Sequence, residues 1–533
     1  MASVVSGAAL GWCFSEPAGR WLAWIALVPF AWTLTITWRP GLYLGVLAGA
    51  IICHLFGLEC FRVVYAGSVE SAWITVSILA SLPWVAAAIA GRWLVRQFAL
   101  PMGIALPLIW VPMEFARMHF MALFVEVPFP YLQLGSLLVE WPRLIQAADI
   151  GGVYILSWIV AAVNGASFDA LQMLFPRANN TTKRTALLVG LSSSLVLLVG
   201  TWLYGGWRLS QRCQSGPLVA LVPGGVTSVL EAGGVAELTR NVQQLANGEH
   251  VALFVWAETT CPAPILTRVP VADEAEPARG SNGRYGLHEE DDVVSRMEKL
   301  SEQLGAAVIA GCRRHEIVRG EAVLRRYNSL AMISPARGFQ GCHDKVYLVP
   351  WREFQPRVAL NLGLLPAPPS DPAYAGPFHR GTRCSTFTLT DAGHTYQLAC
   401  SICFEVAYAA LHRRLMRCSD RRPDFFVGAA DESAFAGSQY AQLSVDAQRM
   451  RAIECRRAFV RIAKNGLSSF VDGNGEILTM QHCSDDSEFL IGQVPIDRRV
   501  SPYVVCGDWL PIVSCIFWAI LGLVAFARRR WLP

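Results

Sequence analysis

Long apolar runs fill the N-terminal part of the chain and return once near its C-terminus. The runs cover residues 2–14, 20–37, 41–60, 72–91, 98–115, 149–167, 185–204 and 508–527. Most of them approach the roughly 20 apolar residues that a helix needs to cross a bilayer. The first run is short, but it lacks the basic flank and the small-residue cleavage site of a secretory signal peptide. The pattern therefore predicts about eight transmembrane helices, seven in residues 1–204 and one in residues 508–533.

Residues 205–507 follow a different pattern, in which short β-rich apolar runs alternate with polar and helical stretches. The clearest of these runs are Val251–Trp256, Ala306–Ala310, Leu330–Ile333, Phe425–Val427 and Phe459–Ile462. Glu289–Leu304 has apolar residues at helical spacing and leads directly into the second run. Stretches rich in Gly and Pro at 270–285 and 363–377 predict loops. This alternation predicts one α/β domain between the seventh and eighth membrane helices.

The composition agrees with a protein that lies partly in lipid. Hydrophobic residues make up 53% of the 533 residues, and the mean hydropathy is +0.36, which is high for a soluble enzyme. The 45 basic and 41 acidic residues nearly cancel, so no overall field attracts nucleic acid. We therefore expect no nucleic-acid partner.

Basic residues concentrate on one set of the short loops between the apolar runs. If the N-terminus is cytoplasmic, the inner loops and the tail carry Arg39, Arg92, Arg96, Arg177, Lys183, Arg184 and Arg528 to Arg530. The outer short loops then hold only Arg20, Arg62, Arg117 and Arg143. The positive-inside rule places residues 205–507 outside the cytoplasm.

The 15 cysteines show no CxxC pair and no His/Cys cluster at zinc spacing. The sequence therefore predicts neither a metal site nor a redox dithiol, and we expect no cofactor. In an oxidising compartment some cysteines of the α/β domain could pair, but spacing does not give the connectivity. The candidates are Cys213, Cys261, Cys312, Cys342, Cys384, Cys400, Cys418 and Cys483.

Three strand ends each deliver one reactive side chain: Glu258, Lys345 and Cys403. Taken singly these are weak signals, because such a cysteine is more often core and such a lysine more often a surface charge. A thiol becomes a useful nucleophile when a neighbouring base or cation favours the thiolate. Together, a glutamate, a lysine and a cysteine suffice for acyl transfer.

The order of these motifs resembles the nitrilase superfamily and, within it, the apolipoprotein N-acyltransferases of bacterial cytoplasmic membranes. The resemblance covers nearly the whole chain. It rests on Ala148–Tyr154, Trp256-Ala257-Glu258, Tyr327-Asn328-Ser329, Lys345 with Leu348-Val349-Pro350 and Glu353, Cys403-Phe404-Glu405, Arg449–Glu454 and Asn465-Gly466. The fold that it implies is an α-helical membrane domain joined to a four-layer αββα sandwich.

The resemblance also implies the role of each site residue. Glu258 is the general base, Lys345 stabilises the oxyanion, and Cys403 carries the acyl group. Supporting positions follow in the same way. Glu353 holds Lys345, while Phe404 and Glu405 shape the loop of the nucleophile. From the residues alone, Glu353 could equally form a surface salt bridge and Phe404 could equally be packing.

The activity implied is transfer of a fatty acyl chain from a phospholipid, through a cysteine thioester, to a lipoprotein. The acceptor is the α-amino group of an N-terminal diacylglyceryl-cysteine, in the last step of lipoprotein maturation. The expected partners are a phospholipid donor, a diacylated apolipoprotein acceptor and membrane lipid. The expected location is the bacterial inner membrane, with the catalytic domain on the periplasmic side.

Several positions depart from the family pattern. Ala257 stands where a proline is usual, Phe404 where a tyrosine is common, and Ala430–Phe435 where Asn-Asp-x-Trp-Phe is usual. Pro223-Gly224-Gly225 replaces the usual Gln-Gly-Asn. None of these changes removes Glu258, Lys345 or Cys403, so we expect them to alter acceptor specificity and not the chemistry.

Two alternatives use the same features differently. A membrane-tethered amidase would let water resolve the thioester, although hydrolysis of small amides needs no membrane helices. A transporter would place ionisable residues inside the spans, which are nearly free of them apart from Glu59, Glu114 and Asp149 near their ends. An inactive lipid-binding scaffold would not need an intact triad. Two apolar stretches, Arg357–Leu365 and Phe404–Leu411, could dip into the membrane interface or form ordinary core helix.

Overall fold

The computed structural model describes most of the chain. The described residues are 1–36, 41–64, 70–174, 181–224, 238, 241–242, 246–261, 263–268, 286–287, 292–317, 324–363, 378–418, 421–483 and 488–531. The expected loop at 270–285, nearly all of that at 363–377, and Gly225, Arg39 and Arg177 lie outside these ranges.

The described residues form two compact units. The first contains Met1–Gln211, Pro356–Ala367 and Ser501–Pro533, and the second contains Arg212–Gln355 and Pro368–Val500. The α-helices are α1 Ala2–Ser15, α2 Val28–Thr35, α3 Leu42–Gly57, α4 Glu59–Val64, α5 Glu70–Phe98, α6 Met102–Val125, α7 Pro142–Ile145, α8 Ala148–Leu174, α9 Thr181–Leu209, α10 Asp292–Leu304, α11 Arg357–Asn361, α12 Ala409–Leu415, α13 Tyr440–Cys455, α14 Pro502–Cys506 and α15 Trp509–Trp531.

Of the described helices, four are long and apolar enough to cross a membrane. They are Ala72–Phe98, Met102–Val125, Ala148–Leu174 and Arg184–Leu209. Ala2–Ser15, Leu42–Gly57 and Trp509–Ala525 are shorter apolar helices. The run at 20–37 is divided between a 3₁₀ helix, Pro17–Trp24, and α2, whose first turn contains Pro29. The helical nature of the apolar region is confirmed, while the number eight stays a prediction.

Helix α6 corrects the expected end of one span. It continues to Val125, beyond the run at 98–115. Glu114 and Arg117 therefore lie within the helix, where both are buried. The interpretation that Glu114 lies near the end of a span was wrong, because a hydropathy window ends a span where charged residues begin.

The Ala148–Tyr154 motif contains a break in helix α8. Gly151 and Gly152 have non-helical backbone angles, and Gly152 has φ +64°. A Cβ atom on Gly152 would lie 2.6 Å from the ring of Tyr503. The second glycine is therefore needed both for the left-handed backbone and for the close approach of that ring.

The second unit is built on two β-sheets. Its strands are β1 Leu218–Val222, β2 Leu253–Trp256, β3 Ile265–Arg268, β4 Gly286–Leu287, β5 Ala307–Ile317, β6 Leu324–Ser334, β7 Gly338–Asp344, β8 Thr386–Asp391, β9 His394–Ile402, β10 Phe425–Asp431, β11 Ala458–Lys464, β12 Gly466–Val471, β13 Ile477–Cys483 and β14 Leu490–Gln493. All five expected strands and the expected helix, now α10, are present.

One sheet runs β14-β1-β2-β5-β3-β4, with β6 paired to β5 and β7 paired to β6. The other runs β13-β12-β11-β10-β9-β8. In the first sheet β1, β2 and β5 are parallel neighbours, and in the second β9, β10 and β11 are. At the carboxyl ends of these central strands, Glu258 follows β2, Cys403 follows β9, and Asp431 is the last residue of β10.

The two sheets face each other across one hydrophobic core. Successive residues of β1 lie on opposite faces of its sheet. Leu221 belongs to the core that also contains Val427 and Val460 of the other sheet, and Val222 belongs to the core on the opposite face. That opposite core contains Val294, Met297 and Leu300 of α10. On the far side of the second sheet, α13 packs on β11 and β12. The order helix, sheet, sheet, helix confirms the αββα sandwich.

Candidate active site

Glu258 lies just beyond the end of β2, and its side chain is 8% exposed. Its Oε1 accepts a hydrogen bond of 2.6 Å from Asn328 Nδ2 and one of 3.3 Å from Lys345 Nζ. Its Oε2 accepts one of 3.0 Å from the backbone N–H of Asp431. The carboxylate is therefore fixed by β6 of one sheet and by the end of β10 of the other.

Lys345 follows β7 directly, and its side chain is 1% exposed. Its Nζ donates to Glu353 Oε1 at 2.9 Å and to Glu258 Oε1 at 3.3 Å. Burial alone would lower the pKa of Lys345, but the two carboxylates outweigh it and raise the pKa above its ordinary value. The ammonium therefore keeps its charge throughout the neutral range.

Glu353 is buried at 8% exposure, so it is not a surface ion pair. Besides the ammonium, its Oε1 accepts from Asn328 Nδ2 at 2.8 Å, and its Oε2 accepts from the backbone N–H of Val349 at 2.7 Å. These bonds hold Glu353 and Lys345 together at the point where the chain leaves β7.

Asn328 has a role that the sequence did not suggest. Its Nδ2 donates to both glutamates, Glu258 and Glu353, which therefore share one amide and one ammonium. Its Oδ1 is buried and accepts no hydrogen bond from any residue that the structure describes. The available signal was its place in the Tyr327-Asn328-Ser329 motif, just before the apolar run Leu330–Ile333.

Cys403 begins the 3₁₀ helix Cys403–Ala407 immediately after β9, with φ +49°. This left-handed conformation costs a non-glycine residue about 1–2 kcal/mol and is characteristic of functional turns. Burial raises the pKa of the Cys403 thiol, Glu258 raises it further, and Lys345 opposes both. Because the net direction is upward, the thiol is protonated at neutral pH and needs a base to react.

Glu405 joins the loop of Lys345 to the turn of Cys403. Its Oε1 accepts from the backbone N–H groups of Val346, at 2.6 Å, and Tyr347, at 3.1 Å. Its Oε2 accepts from the Ile402 N–H at 2.8 Å. Burial alone would raise the pKa of Glu405, but the nearby His343 ring and these N–H groups hold it below its ordinary range. The charged carboxylate therefore connects the loop of Lys345 to the turn of Cys403 through hydrogen bonds.

The second unit carries the match that decides the family. The model for carbon-nitrogen hydrolases matches residues 218–501, more than half of the chain. The chain belongs to the carbon-nitrogen hydrolase family. Residues 6–166 match the N-terminal domain of apolipoprotein N-acyltransferases, which confirms the resemblance drawn from the motifs.

The chain aligns with several curated proteins over most of their length. The apolipoprotein N-acyltransferase of Geobacter metallireducens is 27% identical, over 99% of this chain and 95% of the relative. The proteins of that name from Pseudomonas aeruginosa PAO1, at 26% over 93% of each chain, and Rhodopirellula baltica, at 23% over 78% and 76%, are also similar. These relatives are bacterial proteins, and the apolar helices here are compatible with a membrane protein.

Among solved structures, the NitN amidase from Neterenkonia sp. AN1 aligns with 55% of this chain and 100% of its own, at 13% identity and a TM-score of 0.34. The carbon-nitrogen hydrolase from Helicobacter pylori G27 aligns with 52% of this chain and 88% of its own, at 14% identity and a TM-score of 0.34.

Phe404 in this carbon-nitrogen hydrolase is a packing residue. Its side chain is 1% exposed, and its ring meets Tyr408 edge-on, with 5.3 Å between centroids. Tyr408 stacks on Tyr347 at 3.9 Å. Phe404–Tyr408 and Leu411 are buried, so most of Phe404–Leu411 belongs to the core, whereas Ala410 is exposed. Arg357–Leu365 differs, because Val358 is 40% and Leu362 59% exposed, while Leu364 and Leu365 lie outside the described residues.

The segment Ala430–Phe435, which departs from the family pattern, lies at the site. Its Asp431 N–H holds Glu258, and its Glu432 pairs with Arg461 at 2.5 Å, both side chains being 1% exposed. The charge of Glu432 also raises the pKa of the Cys403 thiol. A Cβ atom at Gly466 would lie 2.0 Å from Glu432 Oε2, so the glycine of Asn465-Gly466 leaves the space that the Glu432 carboxylate occupies.

Proposed function

We propose that this protein N-acylates lipoproteins, with Cys403 as the acyl carrier. One observation carries the proposal: a buried glutamate–lysine cluster whose charges act on Cys403 occurs on a chain whose helical region matches the acyltransferase N-terminal domain. Acyl donor and acceptor both keep their chains in the bilayer. Extracting a chain would cost about 0.8 kcal/mol for each CH₂ group, which a membrane-anchored enzyme avoids.

In the first half-reaction Glu258 takes the proton from Cys403 Sγ, and the thiolate attacks an ester carbonyl of a phospholipid. Lys345 and a backbone N–H near Phe404 then stabilise the tetrahedral oxyanion, at roughly 3 kcal/mol for each well-placed donor. When the intermediate collapses, the C–O bond breaks and the proton on Glu258 goes to the departing lysophospholipid oxygen. A thioester on Cys403 remains.

In the second half-reaction the α-amino group of an N-terminal diacylglyceryl-cysteine attacks the thioester. Glu258 accepts a proton from the amine, the C–S bond breaks, and the proton returns to the Cys403 sulfur. The products are a triacylated lipoprotein and the free enzyme. Glu353 and Asn328 take no proton in this scheme, and instead fix Lys345 and Glu258.

The proposal includes an arrangement in the membrane. Residues 1–204 and 508–533 form the transmembrane region, and residues 205–507 form the catalytic domain on the periplasmic side of the inner membrane. The support is the excess of basic residues on the opposite set of loops.

The test follows a labelled acyl chain through both half-reactions. The purified full-length protein is incubated with acyl-labelled phospholipid, analysed by intact mass, and then given a diacylated lipopeptide. We expect an acyl adduct that hydroxylamine removes and that transfers to the peptide amine. Cys403→Ala should carry no adduct, whereas Cys400→Ala, which removes a buried thiol of β9, should keep it. An adduct on Cys403→Ala, or amide hydrolysis without transfer, would refute the proposal, and the second result would favour an amidase.

A further inference from the structure

Two cysteines that the acyl-transfer scheme does not use have their thiols in contact. Cys384 lies in the segment 378–385 that precedes β8, and Cys418 lies shortly after the end of α12. The two sulfurs are near enough that Cys418 lowers the pKa of Cys384, and the thiol of Cys418 lies 3.6 Å from the carbonyl oxygen of Leu415. Arg414 of α12 donates from Nη2 to the carbonyl of Thr382 at 2.7 Å, which holds the same two segments together.

The two segments are connected to different loops of the candidate active site. In the first, Gly381 donates its N–H to the carbonyl of Lys345 at 2.8 Å, and Phe378 donates to that of Glu353 at 2.9 Å. The second segment follows α12, which begins directly after the turn of the nucleophile Cys403. A disulfide between Cys384 and Cys418 would therefore connect the segment that bonds to the Lys345 carbonyl with helix α12, which follows the Cys403 turn.

The chemical setting of Cys384 differs from that of the other thiols nearby. The hydrogen bond from Cys418 lowers the pKa of Cys384, burial opposes it, and the Arg414 charge lowers it again, to about 6. Cys384 is also partly exposed, whereas Cys312 and Cys342, another pair in hydrogen-bond contact, are 0% exposed. A solvent-accessible thiolate beside a second thiol is the arrangement that reacts in disulfide exchange.

We propose that Cys384 and Cys418 form a disulfide by exchange with an oxidised thiol compound, and that this bond clamps the segments connected to those two loops of the site. The Cys384 thiolate attacks a small disulfide, forms a mixed disulfide and releases one thiolate. Cys418 then loses its proton to solvent and attacks the Cys384 sulfur, which expels the second thiolate. One external disulfide is reduced to two thiols for each protein disulfide made.

The closed ring would contain β8, β9, the Cys403 turn and α12. Cross-linking a ring of this kind restricts the unfolded chain and stabilises the folded one. The inference goes beyond the proposed function, because it concerns neither the acyl donor nor the acceptor.

The test uses purified full-length protein that is reduced, freed of reductant and treated with oxidised glutathione at pH 7. Remaining thiols are alkylated, and the protein is digested and sequenced by mass spectrometry. We expect a Cys384–Cys418 cross-link and protection of both residues from alkylation. Reduction should then lower the melting temperature by about 5 °C or more, from the size of the closed ring. If both cysteines stay fully alkylated, or Cys384 links to another cysteine, the proposal is wrong.

Single variants separate the two chemical steps. Cys418→Ser should accumulate a glutathione adduct on Cys384, at least about tenfold faster than Cys384→Ser accumulates one on Cys418, because the serine hydroxyl can still donate to the Cys384 sulfur and Arg414 remains beside it, whereas the pKa of Cys418 is raised. Both variants should lose the effect of reductant on melting, and Cys506→Ser, at another exposed cysteine, should retain it. Adduct formation at equal rates would contradict the proposed order of attack. None of these readouts depends on acyl transfer, so failure of one proposal leaves the other testable.

Discussion

Buried charges occur in both units of this protein, but those of helix α6 and those of the candidate active site have different partners. In the helical unit, Arg117 Nη2 donates to the carbonyls of Tyr131 and Leu132 at 2.5 and 2.8 Å, and its Nη1 lies 3.1 Å from His54 Nε2. Glu114 Oε1 accepts from the backbone N–H of Leu134 at 2.6 Å. These side chains satisfy the backbone of the segment after α6, which would otherwise have unpaired polar groups.

At the candidate active site of the αββα unit the buried charges contact one another. Lys345 is shared by Glu258 and Glu353, and Asn328 bridges the same two carboxylates. The charges also act on a thiol in a left-handed backbone conformation, Cys403. The difference teaches that burial of charge does not by itself mark a catalytic site. A carboxylate and an ammonium that bond to each other beside a reactive thiol do so better.

The largest effect should come from removing one carboxylate charge in each unit. Glu258→Gln removes the base and should slow formation of the acyl-enzyme about a thousandfold, within the range for general-base catalysis. Glu114→Gln should leave the rate per folded molecule within about threefold and instead lower stability by about 1–3 kcal/mol. Quenched acylation assays and thermal unfolding in detergent measure the two quantities. Equal loss of rate in both variants would contradict the distinction between a catalytic carboxylate and a structural one.

Neutralising one cation in each unit should give the next largest effect. Lys345→Met should slow acylation about a hundredfold, since one oxyanion donor is lost. Arg117→Met should destabilise the fold by about 3 kcal/mol, because a buried partner is left unpaired, while the surviving folded protein keeps its rate. The same assays apply, with activity normalised to protein that remains monodisperse. A rate loss in Arg117→Met at least as large as in Lys345→Met would count against our interpretation.

A smaller effect is expected at two buried amides. Asn328→Ala should lower kcat about tenfold with little change in KM, because Glu258 and Glu353 lose the donor that orients them. Asn164 is the control, since its amide bonds only to backbone in the helical unit, including Leu27 N–H and the carbonyl of Ala23. Asn164→Ala should lower stability and leave kcat unchanged. A change in KM alone for Asn328→Ala would instead indicate a substrate contact.

The smallest effect concerns pH. The carboxylates raise the pKa of Lys345 in the folded chain, so its contribution to stability is complete below the unfolded value of about 10.4 and is lost only as the pH rises above it. The melting temperatures of the wild type and Lys345→Met should therefore keep a constant difference from pH 7 to 9. The difference should shrink towards pH 11. Convergence below pH 9 would mean that the ammonium is not held by the two glutamates.

Much of the fold follows from local pattern. The strands β2, β5, β6, β10 and β11 and the helix α10 begin or end within a few residues of their expected positions, although β5 and β6 are considerably longer than their apolar runs. The expected positions of Glu258, Lys345 and Cys403 just after strands are also found, after β2, β7 and β9. These features depend on neighbouring residues along the chain, so the sequence contains them.

Other features depend on residues that are distant in sequence. Hydropathy ended a span before Arg117, because it could not detect the carbonyls of Tyr131 and Leu132 that satisfy this charge. The sequence pattern gave Asn328 no role, because Glu258 and Glu353, which share its amide, lie far from it along the chain. Cys384 and Cys418 were two candidates among eight until the fold brought their sulfurs together.

By itself, therefore, the sequence determined the division into apolar helices and an α/β domain, and the residue types available for acyl transfer. Periodic burial and reactive side chains are properties of short segments. The tertiary structure decided which charges meet, which of them remain beside a nucleophile, and which thiols touch. Those outcomes depend on the packing of two sheets and the meeting of their strand ends, and no local pattern encodes that geometry.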